Sequence, residues 1–283
     1  MSGSSGSPGH SQPLSVGNVV SAGLKLYRSH LKEYFLIALK AYAWLIVPIY
    51  GWAKCYALIA LISRLAFGDL VNQPESVKSG ERFVNSRLWQ FLLLFIILLL
   101  MIIGLYIGIV LVFVFLGFVF IGIFGRDGEP NPGLIALLVL LGFLIFIPVF
   151  IGLLWLFTHF YLVDVPLAIE EDVNATSTIS RSWELTQGHV WRVLGISFVA
   201  ALVTFPIQFV VQTVTNIIQL ILESLISRDS SIYGSSVAII TVVLSFLAGA
   251  AIVPISQTVK AVIYYDLRSR REGLGLQLRD REI

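Results

Sequence analysis

Residues 88–124 read LWQFLLLFIILLLMIIGLYIGIVLVFVFLGFVFIGIF, without one Asp, Glu, Lys or Arg. A membrane-crossing helix needs about 20 predominantly apolar residues, and a run this long without charge has no place in a water-soluble domain. As one helix it would extend about 55 Å. The stretch therefore reads either as one long, tilted span or as two spans divided near Gly104 or Gly108.

The rest of the chain follows the same pattern. Further apolar runs occupy Tyr34–Tyr50, Trp52–Phe67, Leu134–Val163, Val193–Ile226 and Val237–Tyr265. Barrel strands would be short and alternating; these runs are long and continuous, so helices are expected. Of the 283 residues, 57% are hydrophobic and 13% charged, with a mean hydropathy of +0.88. Soluble domains carry about 25% charged residues, so most of this exterior must face lipid. A net charge of +2 excludes an electrostatic nucleic-acid binder, and the single Cys55 excludes an internal disulfide and a multi-cysteine zinc site. The Ser/Gly/Pro-rich segment 1–14 lacks the basic and apolar regions of a secretory signal and reads as a disordered tail.

Polar residues inside this apolar background reveal an internal repeat. When Val20, Val77 and Ile179 are superposed, His30, Arg87 and His189 coincide, as do Lys32, Trp89 and Trp191. Ser15, Asn72 and Asn174 also coincide, each a good helix N-cap. An ungapped offset of 102 residues carries Arg126-Asp127 onto Arg228-Asp229 and Asp164 onto Asp266. The expected organisation is repeat 1 at 15–70, repeat 2 at 71–166 and repeat 3 at 167–272, with a polar tail at 273–283. Each repeat reads as an amphipathic helix followed by a helical hairpin. In the first, Val20, Leu24, Tyr27, Leu31 and Tyr34 form one apolar stripe, with Lys25, Arg28 and Lys32 mainly off it.

The predicted fold is thus all-α, a polytopic transmembrane bundle of about six spans. Basic residues precede each hairpin: Lys25, Arg28 and Lys32, then Lys78, Arg82 and Arg87, then Arg181 and Arg192. The positive-inside rule then places the amphipathic helices and both termini in the cytoplasm of a cell-membrane protein.

Asp164-Val165-Pro166, Thr178-Ile179-Ser180-Arg181-Ser182-Trp183 and Gly188-His189-Val190-Trp191, together with Tyr264-Tyr265-Asp266-Leu267-Arg268-Ser269-Arg270-Arg271-Glu272-Gly273, carry a resemblance. They resemble the membrane-domain family of glycerophosphoryl diester phosphodiesterases and its uncharacterised bacterial multi-pass relatives. The resemblance implies a six-helix membrane bundle without an established activity. It does not imply phosphodiesterase chemistry, because that family's enzyme half begins with a His-Arg-Gly motif, and none of His10, His30, His159 and His189 precedes Arg-Gly.

Two groups of residues are candidate sites. Gln208, Gln212, Thr215, Asn216, Gln219 and Glu223 fall on one helical face of the fifth span. That face could line a water-filled path for a solute or lipid, or supply interhelical hydrogen bonds. His30, Arg87 and His189 share one repeat position and, with Arg268, Arg270 and Arg271, are candidates for anionic lipid headgroups. Lys40, Lys54, His159 and Lys260 read as interfacial anchors, Glu170-Glu171-Asp172 as a solvated loop, and Pro48, Pro148, Pro206 and Pro254 as kinks. No phosphate-binding, zincin or serine-hydrolase motif is present. Neither a catalytic set, a metal nor a cofactor is expected. The function class is a non-enzymatic protein that organises or senses lipid, with a protein partner or a second copy as further candidates for contact. The alternative is a transporter of a small solute or lipid.

Overall fold

The computed structural model describes residues 15–124, 132–227 and 230–273. The predicted tails and the linker dipeptides Arg126-Asp127 and Arg228-Asp229 lie outside them, apart from Gly273. The described residues form helices α1 (Val16–Ser29), α2 (Leu31–Trp44), α3 (Tyr50–Leu70), α4 (Val77–Ser86), α5 (Leu88–Phe124), α6 (Pro132–His159), α7 (Asp164–Ile169), α8 (Ser177–Thr186), α9 (Val190–Leu225) and α10 (Ser231–Glu272), and no strand.

Local chemistry sets the breaks. Ser15 caps α1 by accepting from the Asn18 amide. Asn72, expected to open the second repeat's first helix, instead closes α3. It takes a left-handed φ of 55°, while its amide and that of Gln73 donate to the carbonyls of Asp69 and Gly68. Asparagine tolerates this conformation; Ser76 is the actual cap of α4. Pro48 lies in the turn between α2 and α3 rather than inside a helix. Pro148, Pro206 and Pro254 do sit within helices. Residues 88–124 form one continuous helix, undivided at Gly104 or Gly108.

α3 is the central column. Ala57, Leu58, Leu61, Ile62 and Leu65 are buried along it, and α2, α4, α5, α7 and α10 pack around it. α1 lies against α10, where Gly23 allows the backbone to approach Val259. The buried residues of α5 sit at its start, at Phe91, Leu92 and Leu94. Those of α9 lie mainly between Val190 and Thr204, and those of α10 follow Ala248. The result is a packed base from which four apolar arms extend, their large side chains largely uncovered. Such a surface belongs in hydrocarbon, where helices satisfy their own backbone hydrogen bonds.

Among the described residues, four helices are long and apolar enough to cross a membrane, corresponding to α5, α6 (with its extension to Ile169), α9 and α10. Hairpin α2–α3 is absent from that set. The charged helix α4 and the residues leading into it lie along it: Gly80 faces Leu61 and Leu65, Glu75, just before α4, pairs with Arg64 at 2.6 Å, and Glu81 takes both Lys40 at 2.8 Å and Lys54 at 3.3 Å. Lys40 and Lys54 are therefore not separate interfacial anchors; they share one carboxylate.

Candidate functional site

The clearest candidate is a recess of about 350 Å³ at the foot of α9, lined by Gly188, His189, Trp191, Arg192 and Arg270. α8 ends at Thr186, and the chain turns through Gly188 at a φ of 82° before His189, the residue that precedes α9. That positive φ suits glycine, and the turn sets His189 and Trp191 beside the last turns of α10. Arg192 Nη1 and Arg270 Nε both meet Asp266 Oδ2, at 2.9 Å and 3.0 Å. Two guanidinium groups on one carboxylate sum to a single positive charge. Trp191 is exposed next to them, continuing into the uncovered apolar side chains Phe198, Leu202 and Phe205 of α9.

Of the six basic residues singled out from sequence, the structure brings His189 and Arg270 together here. His30 stands 3.5 Å from Asp69. Arg87 donates to the carbonyls of Leu167, Glu170, Glu171 and Val173, tying α5 to the α7–α8 connection. Arg268 donates to Glu272 at 2.8 Å, and Arg271 to the Gln187 carbonyl. The three residues at the shared repeat position thus have separate surroundings.

On α9, Thr215 is buried, Gln219 and Glu223 are half-buried, and Gln208, Gln212 and Asn216 are exposed. Gln212 donates to Asn216 at 3.0 Å, and the Tyr233 hydroxyl on α10 donates to Glu223 at 3.0 Å. The exposed amides lie on the outside of their span. A separate cleft of about 380 Å³ opens between α5 and α6, with an apolar lining that includes Gly104, Gly108, Gly142 and Phe146.

The base holds a polar network that sequence reading missed. Ser63 of α3 donates to Gln257 of α10, whose amide donates to Asp164 Oδ2 at 2.9 Å. Lys260 Nζ reaches both Asp164 oxygens, at 2.9 Å and 3.0 Å. Lys260 is therefore an ion-pair partner rather than an interfacial anchor. Below it, Glu170 takes Arg181 at 3.0 Å and the Tyr264 hydroxyl, and Arg181 also pairs with Glu272. Glu170 is thus part of the base and not of a solvated loop. His159 is buried, stacked on Trp183 with centroids 3.9 Å apart. The available signal was the position of Asp164, Gln257 and Lys260 at the ends of apolar runs, where an ionisable group needs a partner.

Among the described residues, no group of three or more His, Cys, Asp or Glu is placed to hold a metal ion. No curated protein and no solved structure matches the chain. Residues 74–267, from just before α4 to the last turns of α10, match the family model described as Domain of unknown function (DUF7847), and the chain belongs to that family.

Proposed function

We propose that the chain is a non-enzymatic integral membrane protein that binds anionic lipid headgroups at the foot of α9, on the cytoplasmic side of the cell membrane. The observation that carries this reading is the recess in which His189, Arg192 and Arg270 lie beside exposed Trp191. Tryptophan favours the membrane interface, and guanidinium forks match phosphate oxygens. The basic residues before α2, α5 and α9 support a cytoplasmic base and termini.

The threefold repeat is supported by the helix breaks at His30, Arg87 and His189, each of which follows a short helix and precedes a longer or equal one. A six-span arrangement would require α2 and α3 to cross as well. The charged face of α4 alongside α3 favours four spans, with that hairpin held in the base. The likeness to the membrane domain of glycerophosphoryl diester phosphodiesterases fits a membrane module acting without a catalytic half.

The test is thermal unfolding of the full chain in nanodiscs of zwitterionic lipid and of lipid containing phosphatidylglycerol. The anionic lipid is expected to raise the unfolding temperature, and His189→Gln or Arg270→Gln to shrink that difference between lipids. Equal unfolding in both lipids, or an undiminished difference in both variants, would overturn the headgroup site.

A further inference from the structure

At 100° per residue, Gln208, Gln212, Thr215, Asn216, Gln219 and Glu223 fall within an arc of about 100° on α9. This helix is long and apolar enough to cross the membrane. Within that arc, Gln208, Gln212 and Asn216 are exposed, and neither Gln208 nor Gln219 makes a side-chain hydrogen bond among the described residues. An amide turned toward lipid has no water to bond and loses free energy until it finds a partner. Neighbouring positions on the outward face are large and apolar, including Phe205, Phe209 and Leu220, so lipid contact is the setting in which these amides must be satisfied.

We infer that this stripe is covered by α9 of a second copy, forming a parallel two-fold contact. Identical chains insert in the same orientation, so a two-fold axis along the membrane normal sets each residue near its own equivalent. A carboxamide both donates and accepts. Gln208, Gln212 and Gln219 can therefore each pair with themselves, a property that a row of charged groups would lack. Glu223, the one acid in the stripe, sits in the last turn of α9, with Tyr233 donating to it. The contact needs no charged partner and is independent of the headgroup site at the opposite end of α9.

The experiment uses the full chain in nanodiscs and liposomes. The sole cysteine, Cys55, is buried in α3 and is first replaced by alanine. Gln212→Cys is then expected to form a disulfide-linked dimer under mild oxidation, whereas Val210→Cys, on the opposite side of α9, is not. Gln208→Leu/Gln212→Leu/Gln219→Leu should weaken dimerisation roughly 20-fold, taking three amide pairs of ordinary strength in a bilayer. Leucine is at home where these side chains point, and unchanged thermal unfolding would show that the fold is intact. Single-step photobleaching of the wild-type chain as monomers would overturn the inference, as would equal cross-linking at both positions. So would a triple variant that dimerises like the wild type; if that variant also lost passage of a labelled lipid or solute across liposomes, the stripe would be a translocation path instead.

Discussion

Asp164 and Lys260 show how single residues hold the base together. The Asp164 side chain is 1% exposed and that of Lys260 16%, so each charge depends on the other. Removing one partner from such a pair costs about 3–5 kcal/mol, because the other charge stays buried and unpaired. Lys260→Met should therefore destabilise strongly in denaturant unfolding, and Asp164→Leu added to it should restore a large part of the loss. Glu81 makes a milder case. Burial alone would raise its pKa, but the hydrogen bonds and charges of Lys40 and Lys54 hold it below the ordinary glutamate value. Its contribution to stability is fully present above about pH 4.3, the ordinary value. It is lost as pH falls through the group's own lowered value. Acid unfolding of Glu81→Gln should lack that part of the pH dependence. That Asp164 and Lys260 are costly in an apolar run was legible; that they belong to each other was not, because 96 residues separate them. The same applies to Glu170, whose partners Arg181 and Tyr264 come from two different helices.

At the scale of the helix, α1 and α10 meet through a glycine. A Cβ on Gly23 would lie 2.7 Å from Val259 Cγ2 and 3.0 Å from that residue's Cα and N. The side-chain atom could turn aside, but the backbone cannot, so the helices would have to part. Gly23→Ala is expected to cost about 1–3 kcal/mol, the usual range for overpacking, which calorimetry in detergent would measure. Of the apolar stripe Val20, Leu24, Tyr27, Leu31 and Tyr34, the first, third and fifth are buried and Leu24 is half-buried, but Leu31 is exposed, because the helix breaks at His30 in the middle of the stripe. The run 88–124 was readable as helical, but its apolar residues alone did not decide between one helix and two; it forms one. Hairpin α2–α3 was harder. Its apolar residues resemble those of a span, and only the placement of α4 shows charged groups lying against the hairpin.

The whole molecule is an apolar-cored base, threaded by a few buried polar groups such as Ser63, Gln257 and Asp164, that carries apolar arms with uncovered side chains. Its membrane character was legible from hydropathy, since burial of so much apolar surface requires lipid. The number of crossings was not, since hydropathy does not register what covers a segment. In a Cys55→Ala background, Val47→Cys at the exposed α2–α3 apex separates the two topologies. With four spans, a membrane-impermeant maleimide should reach it from the cytoplasmic side or not at all; labelling from the outer side alone would restore six.

The pairing of Asp164 with Lys260 also sets an order of events during synthesis. The acid is translated 96 residues before its cation, a delay of about 5–20 s at ordinary elongation rates. Throughout that interval the start of α7 holds a carboxylate with no permanent mate, and α3 waits for the helix that will flank it. The nascent chain must therefore keep this region open to water, or in the custody of an insertase, until α10 emerges. A ribosome stalled before Lys260 would leave a protein with α5, α6 and α9 made, but with α10 unfinished and the base not closed.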